Sequence, residues 1–113
     1  MSARPDSIRV GCLQYAPAFG KVRENLARVD GLLAGYAQLG LLVLPELFAS
    51  GYAFGSAKAA CDLSEPIPDG PTCKALADWA RRLKAVVVGG LPERDGDRVY
   101  NSAAVFSPDG YIG

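Results

Sequence analysis

The sequence predicts an α/β fold, and three observations carry that prediction. Short apolar runs at residues 8–14, 41–44 and 85–91 are closed by turn formers and are too short to be helices. Between them, residues 21–38 and 71–84 carry apolar side chains at helical spacing. Half of the 113 residues are hydrophobic, which is enough for a buried core, so the chain reads as one domain or part of one.

Residues 8–14 make the first expected strand, and Ala16-Pro17-Ala18-Phe19-Gly20 turns the chain into a helix. Leu26, Val29, Leu33 and Tyr36 fall on one stripe of that helix, which is expected to face the core. Gly31 and Gly35 each weaken it by up to ~1 kcal/mol, a loss that close packing against the sheet is expected to offset. Gly40 stops the helix, and residues 41–44 form the second strand. Residues 46–70 show no period and are expected to be irregular, shaping the rim of a pocket. Phe48, Tyr52 and Phe54 are their aromatics, which either pin the loop to the core or touch a ligand.

Asp69-Gly70-Pro71-Thr72 suits the start of a second helix, with Pro in its first turn, and Leu76, Trp79, Ala80 and Leu83 give that helix its apolar face. Lys84 falls at its end, where a cation meets the negative end of the dipole. Residues 85–91 form the third strand; Gly89 and Gly90 let backbone or ligand come close, and Pro92 is expected to end it. Arg94-Asp95-Gly96-Asp97 has the residues of a tight turn, so residues 99–106 are expected to return antiparallel. Asn101 in that strand either satisfies the strand edge or bonds backbone near the Glu46 loop, and both readings stay open. Ser107-Pro108-Asp109-Gly110 makes a further turn.

Glu46 stands where the second strand runs out, directly after Leu41-Leu42-Val43-Leu44-Pro45. In open α/β sheets ligands meet the protein at the carboxyl ends of strands, so Glu46 is placed at a site mouth. Flanked by Pro45, Leu47 and Phe48, its carboxylate is expected to lose hydration and to rise in pKa towards the range of a general base. An ordinary polar residue at a strand end is the competing reading.

Composition removes several function classes. Lys plus Arg total 12 and Asp plus Glu total 12, so no basic surplus exists to neutralise a phosphate backbone, and nucleic acid is not an expected partner. Histidine is absent, which removes a Ser-His-Asp triad, a Cys-His pair and any histidine metal site; no metal site is expected. The apolar runs fall far below the ~20 residues that cross a bilayer, so no membrane partner is expected. Residues 1–7 carry Arg4, Pro5 and Asp6 and no apolar core, as a flexible N-terminus and not a signal peptide would. Three cysteines, an odd count without a secretory leader, point to reduced thiols in the cytoplasm. Cys12 reads as core packing, and the acids near Cys61 and Cys73 oppose thiolate formation; a Cys61–Cys73 bridge is not favoured.

Taken in order, Ile8-Arg9-Val10-Gly11-Cys12-Leu13-Gln14, Asn25-Leu26, Leu42-Val43-Leu44-Pro45-Glu46-Leu47-Phe48 with Gly51-Tyr52, Val86-Val87-Val88-Gly89-Gly90, and Tyr100-Asn101-Ser102-Ala103 before Ser107-Pro108-Asp109-Gly110 resemble the nitrilase, or carbon-nitrogen hydrolase, superfamily. The Leu-Pro-Glu-Leu-Phe block with its Gly-Tyr is the specific part. The resemblance implies that residues 8–113 supply the N-terminal half of an α-β-β-α sandwich. It implies hydrolysis of a small amide, nitrile or N-carbamoyl compound by a Glu-Lys-Cys triad, without an organic cofactor or metal, in a homo-oligomer when full length. Glu46 matches the family's base, and Tyr52 follows closely enough to be its candidate substrate-binding residue. None of Lys21, Lys58, Lys74 and Lys84 lies in the matching context, so the chain is expected to stop just before the family's lysine and cysteine and to be inactive alone. Two other classes compete: a non-catalytic interaction module on the same scaffold, and a flavodoxin-like ligand-binding domain, which the lack of a Gly-rich phosphate loop after the first strand weakens.

Overall fold

The computed structural model describes residues 6–113. Its elements run β1 (Val10–Cys12), α1 (Val22–Leu33), β2 (Leu41–Val43), α2 (Ala57–Leu63), α3 (Pro71–Leu83), β3 (Val86–Asp95), β4 (Arg98–Ser107) and β5 (Gly110–Tyr111). They build one sheet in the order β1-β2-β3-β4-β5, with the first three strands parallel and the last two antiparallel. Both parallel crossovers step in the same direction. Because such crossovers are right-handed in nearly all proteins, α1 and α3 fall on the same face of the sheet. One core fills the gap between them and the strands, with Val29 and Leu33 from α1, Leu76, Trp79, Ala80 and Leu83 from α3, and Leu42, Val87, Leu91, Ala104 and Phe106 from the sheet. The α/β class read from the sequence is the one observed. Five residues of the expected flexible N-terminus, 1–5, lie outside the described residues.

Alternation along the strands assigns the opposite face. Val10 and Val43 are 60% and 38% exposed there, while their neighbour Leu42 is buried. Trp79 anchors the helical side: its indole is buried, and its Nε1 donates to Asp30 Oδ1 of α1 at 3.0 Å. Arg82 reaches the same oxygen at 2.5 Å, and these two donors, Trp79 first, hold the Asp30 carboxyl below its ordinary range. Among the described residues no helix is long and apolar enough to cross a membrane.

Four expectations are corrected. Residues 46–70 are not wholly irregular, for α2 lies within them; Ser56 caps it by accepting the Ala59 N–H at 3.1 Å, and Lys58 pairs with Asp62 one turn on at 2.7 Å. None of its residues is buried, so it carries no apolar period to read. Helix α1 ends at Leu33 and not near residue 38, and Tyr36 is 55% exposed; Leu39 takes its place against the core, its N–H bonding Leu83 O at 3.1 Å. Gly31 and Gly35 pack against nothing, since a Cβ on either would meet no atom within 4 Å.

Pro92, expected to end the third strand, does not. Strand β3 runs through Pro92 to Asp95. Alternate residues of a strand turn their N–H and C=O to opposite neighbours. Val88 and Gly90 use their carbonyls on the β2 side, accepting from Leu44 N at 2.8 Å and Phe48 N at 3.3 Å. Pro92 O continues the row by accepting Glu65 N at 2.9 Å. The missing N–H of Pro92 therefore faces a side where β2 has already turned away, and the ladder to β4 loses nothing.

Candidate active site

Leu44 makes the last sheet bond of β2, and the chain then turns over residues 46–50. Leu47 sits at φ 50°, a left-handed conformation that a non-glycine residue adopts at a cost of about 1 kcal/mol or more. What holds it there is packing. Leu47 and Phe48 are buried, at 7% and 0% exposed, and Gly51 N closes the turn on Leu47 O at 2.9 Å. Gly90 of β3 lies directly beneath: a Cβ on it would stand 2.9 Å from Leu47 N and 3.0 Å from Glu46 Cα. The expected close approach at Gly89-Gly90 is thus made by backbone at Gly90, and at Gly89 by the Leu76 and Phe48 side chains.

Asn25 locks the turn from the helical side. This buried side chain accepts Ala18 N at 2.9 Å through Oδ1 and donates through Nδ2 to Ala18 O and Ala49 O, each at 2.8 Å. Tyr15 adds a hydroxyl donated to Phe48 O. The hairpin on the other flank is fixed through Glu65, whose N–H bonds Pro92 O and whose carbonyl accepts Arg94 N, both at 2.9 Å. Its buried carboxylate takes Thr72 N at 2.8 Å and Thr72 Oγ1 at 2.5 Å at the start of α3, where the helix dipole favours an anion. Ser102 Oγ donates to Glu93 Oε1 at 2.7 Å and ties β4 to β3. Among the described residues no buried side-chain polar atom lacks a partner.

Glu46 itself is exposed on the face without helices. Asn101 Nδ2 donates to its Oε1 at 2.5 Å. The amide meets the side chain of Glu46 and not the loop backbone, and it does so across β3, where Gly90 leaves the path clear. Both line an open cleft of about 320 Å³ with Leu44, Val88, Gly90, Ser102 and Ala103. The carboxylate is the one charged group in that lining. Two larger clefts, of about 670 and 530 Å³, lie along β1 and residues 38–40 and do not include Glu46.

Tyr52 is 75% exposed and lines a neighbouring cleft of about 300 Å³ with Tyr15, Ala16, Pro17, Phe19 and Ala53, so the two candidate residues are not brought into one cleft. Phe48 is an anchor, and Phe54 packs edge-on against Phe19 at 5.5 Å. All three cysteines are free, and Cys12, expected in the core, is exposed, because alternation along β1 puts it with Val10 on the sheet face without helices. Burial, followed by the charges of Glu65, Asp69 and Glu93, pushes the Cys73 thiol up to about 11, which makes it inert as a nucleophile near neutral pH.

Two framing residues were not assigned these roles from the sequence. Asn25 lies in register with Val29 and Leu33 on the buried stripe, and a polar residue on a core-facing stripe signals bonds to be satisfied. For Asn101 one of two open readings put it against the Glu46 loop, but with the loop backbone as partner; its bond to the carboxylate spans 55 residues, which no local pattern reveals.

The family model for carbon-nitrogen hydrolases matches residues 9–113. A nitrilase from Pyrococcus abyssi is 36% identical over 108 residues, covering 94% of this chain and 41% of that protein. An omega-amidase from Danio rerio is 39% identical over 92 residues, covering 79% of this chain and 32% of that protein. In structure, an N-terminal amidase superposes with a TM-score of 0.86 at 25% identity, over 94% of this chain and 27% of that one. A carbon-nitrogen hydrolase superfamily protein from Xanthomonas campestris gives 0.79 at 29% identity, over 91% and 37%. The chain thus spans less than half the length of these relatives, and sequence and fold agree across nearly all of its own. It belongs to the carbon-nitrogen hydrolase family.

Proposed function

We propose that this chain supplies the general base, Glu46, to a hydrolase of non-peptide carbon-nitrogen bonds, acting on a small amide, nitrile or N-carbamoyl substrate. The observation that carries the reading is the Glu46 carboxylate at the carboxyl end of β2, exposed in a cleft and held by Asn101. The lysine and cysteine that complete the triad lie, on this reading, beyond residue 113. Taking an amide as substrate, Glu46 accepts the thiol proton as sulfur bonds to carbon, and the lysine stabilises the oxyanion. The C–N bond then breaks, the leaving amine takes the proton back from Glu46, and a thioester remains. Water opens the thioester, giving one proton to Glu46, and the thiol is restored with the release of a carboxylic acid. Tyr52, on the segment that follows Glu46, belongs at the rim, against the distal part of the substrate.

The test is Glu46→Gln in the full-length protein, which keeps size and hydrogen bonding and removes proton acceptance. Expected is a loss in kcat of ~10² or more at an unchanged thermal midpoint. A stable variant with near-normal kcat overturns the assignment. Residues 1–113 alone are expected to turn over no amide, nitrile or N-carbamoyl compound, and turnover by them would place the nucleophile within these residues.

A further inference from the structure

We infer that Asn101 is the positioning residue of Glu46: it occupies Oε1 and so leaves Oε2 as the oxygen that exchanges the proton. This rests on Glu46 being the base. The contact is a side chain to side chain bond of 2.5 Å between two strand systems 55 residues apart, and among the described residues it is the one hydrogen bond that the Glu46 carboxylate makes. An ionised carboxylate only accepts, so the amide must present its Nδ2–H to it. Satisfaction of Asn101 does not require this partner, because the residue is exposed and water is available.

The chemistry of the donor matters. A lysine or arginine in this place would form an ion pair and draw the proton affinity of the carboxylate down, whereas a neutral amide fixes its orientation with far less effect on its basicity. The amide also keeps the same protons over the whole working pH range. The geometry is carried by a rigid frame. Asn101 stands opposite Pro92 on β4, and the hairpin below it is tied down by Glu65 and by Ser102 on Glu93. The Glu46 backbone rests on Gly90, so neither partner of the bond sits on a free loop.

The experiment is a double-mutant cycle in the full-length protein, with Asn101→Ala, Asn101→Asp, Glu46→Gln and the Asn101→Ala/Glu46→Gln pair, reading kcat, KM and thermal midpoint on an amide substrate. Expected for Asn101→Ala is a fall in kcat of roughly 10-fold or more with KM within about twofold, since misplacing a base raises the barrier without weakening binding. Asn101→Asp keeps the shape, replaces the donor by a second carboxylate, and is expected to lose at least as much. In the Glu46→Gln background Asn101→Ala is expected to cause no further loss, because a residue that acts through Glu46 has nothing left to position. Normal kcat in Asn101→Ala beside an impaired Glu46→Gln overturns the proposal and leaves Glu46 as base. The same fold loss in both backgrounds also overturns it, and so does a failure of both Asn101 variants to fold, which makes the residue structural. Near-normal kcat in Glu46→Gln removes the base reading itself, and the proposal with it.

Discussion

Substituting Gly90 by Ala inserts one methyl group at the point where β3 supports the Glu46 turn. The new Cβ would stand 2.9 Å from Leu47 N and 3.0 Å from Glu46 Cα, and ordinary van der Waals contact begins near 3.4 Å, so the two layers must part by about half an ångström. Neither obstacle is a flexible side-chain end. Both are backbone, pinned by the buried Leu47 and Phe48. Overpacking of this kind costs about 1–3 kcal/mol. The Phe48 N to Gly90 O bond, already 3.3 Å long, would stretch beyond hydrogen-bonding range and remove roughly another 1 kcal/mol. The expected sum is about 2–4 kcal/mol, measured as unfolding free energy in urea on the full-length protein. Activity should fall as well: misplacement by ~1 Å costs about 10²-fold, so half that displacement of Glu46 points to roughly 10-fold in kcat. Gly31→Ala is the internal control. It lies in α1 with nothing within 4 Å of the new methyl and is expected to stabilise by about 0.5–1 kcal/mol. A Gly90→Ala protein within ~0.5 kcal/mol of wild type and with unchanged kcat would refute the reasoning, for it would mean that the turn yields freely.

Asn25→Ala removes three hydrogen bonds and leaves Ala18 N and Ala49 O without their partner, while Ala18 O keeps the Lys21 N–H, so urea unfolding is expected to show a loss of about 3 kcal/mol; under ~1 kcal/mol would mean that water replaces the side chain. Cys73, with its thiol pushed up to about 11, is expected to resist iodoacetamide at pH 8 in the folded protein while exposed Cys61 reacts, as peptide mass spectrometry would show. The folded state holds the Cys73 proton more tightly than the unfolded one. Its contribution is therefore fully present at neutral pH and is lost as pH rises from the ordinary thiol range through 11. Equal labelling of Cys61 and Cys73 in native protein at pH 8 would contradict that burial.

What the sequence made legible follows from where the physics is local. Leu41, Leu42 and Val43 form a strand because a short apolar run buried under a helix has little else to become, and Gly96 at φ 62° closes the hairpin as the turn residues foretold. Helix α2 is illegible in the sequence for the converse reason: its stability comes from a Ser56 cap and good helix formers, with no buried stripe to set a period. Pro92 misled because a proline ends a strand only when its nitrogen faces a neighbour, and which side it faces depends on where β2 leaves the sheet. At the site, Glu46 could be placed from its position after Pro45. Asn101 could be read only as one of two alternatives, and with the loop backbone as partner, since its bond to the carboxylate exists only once β3 lies between the two. The desolvation expected from Pro45, Leu47 and Phe48 did not appear either, because Leu47 and Phe48 turn inward while Glu46 is left on the exposed face.

The pairing of β3 with β4 carries a consequence for how errors in this chain would show themselves. Ala104 and Phe106 face the core, while Asn101, five residues before Phe106, faces the cleft. A slip of one residue in the hairpin would turn every side chain of β4 to the other face, sending Phe106 into water and Asn101 against α3. The same register thus governs the hydrophobic interior and the amide that meets Glu46. A well-folded molecule with a misaligned carboxylate is not an accessible product of mispairing; any copy that gets the site wrong in this way also loses its core, and exposes itself to degradation before it can accumulate.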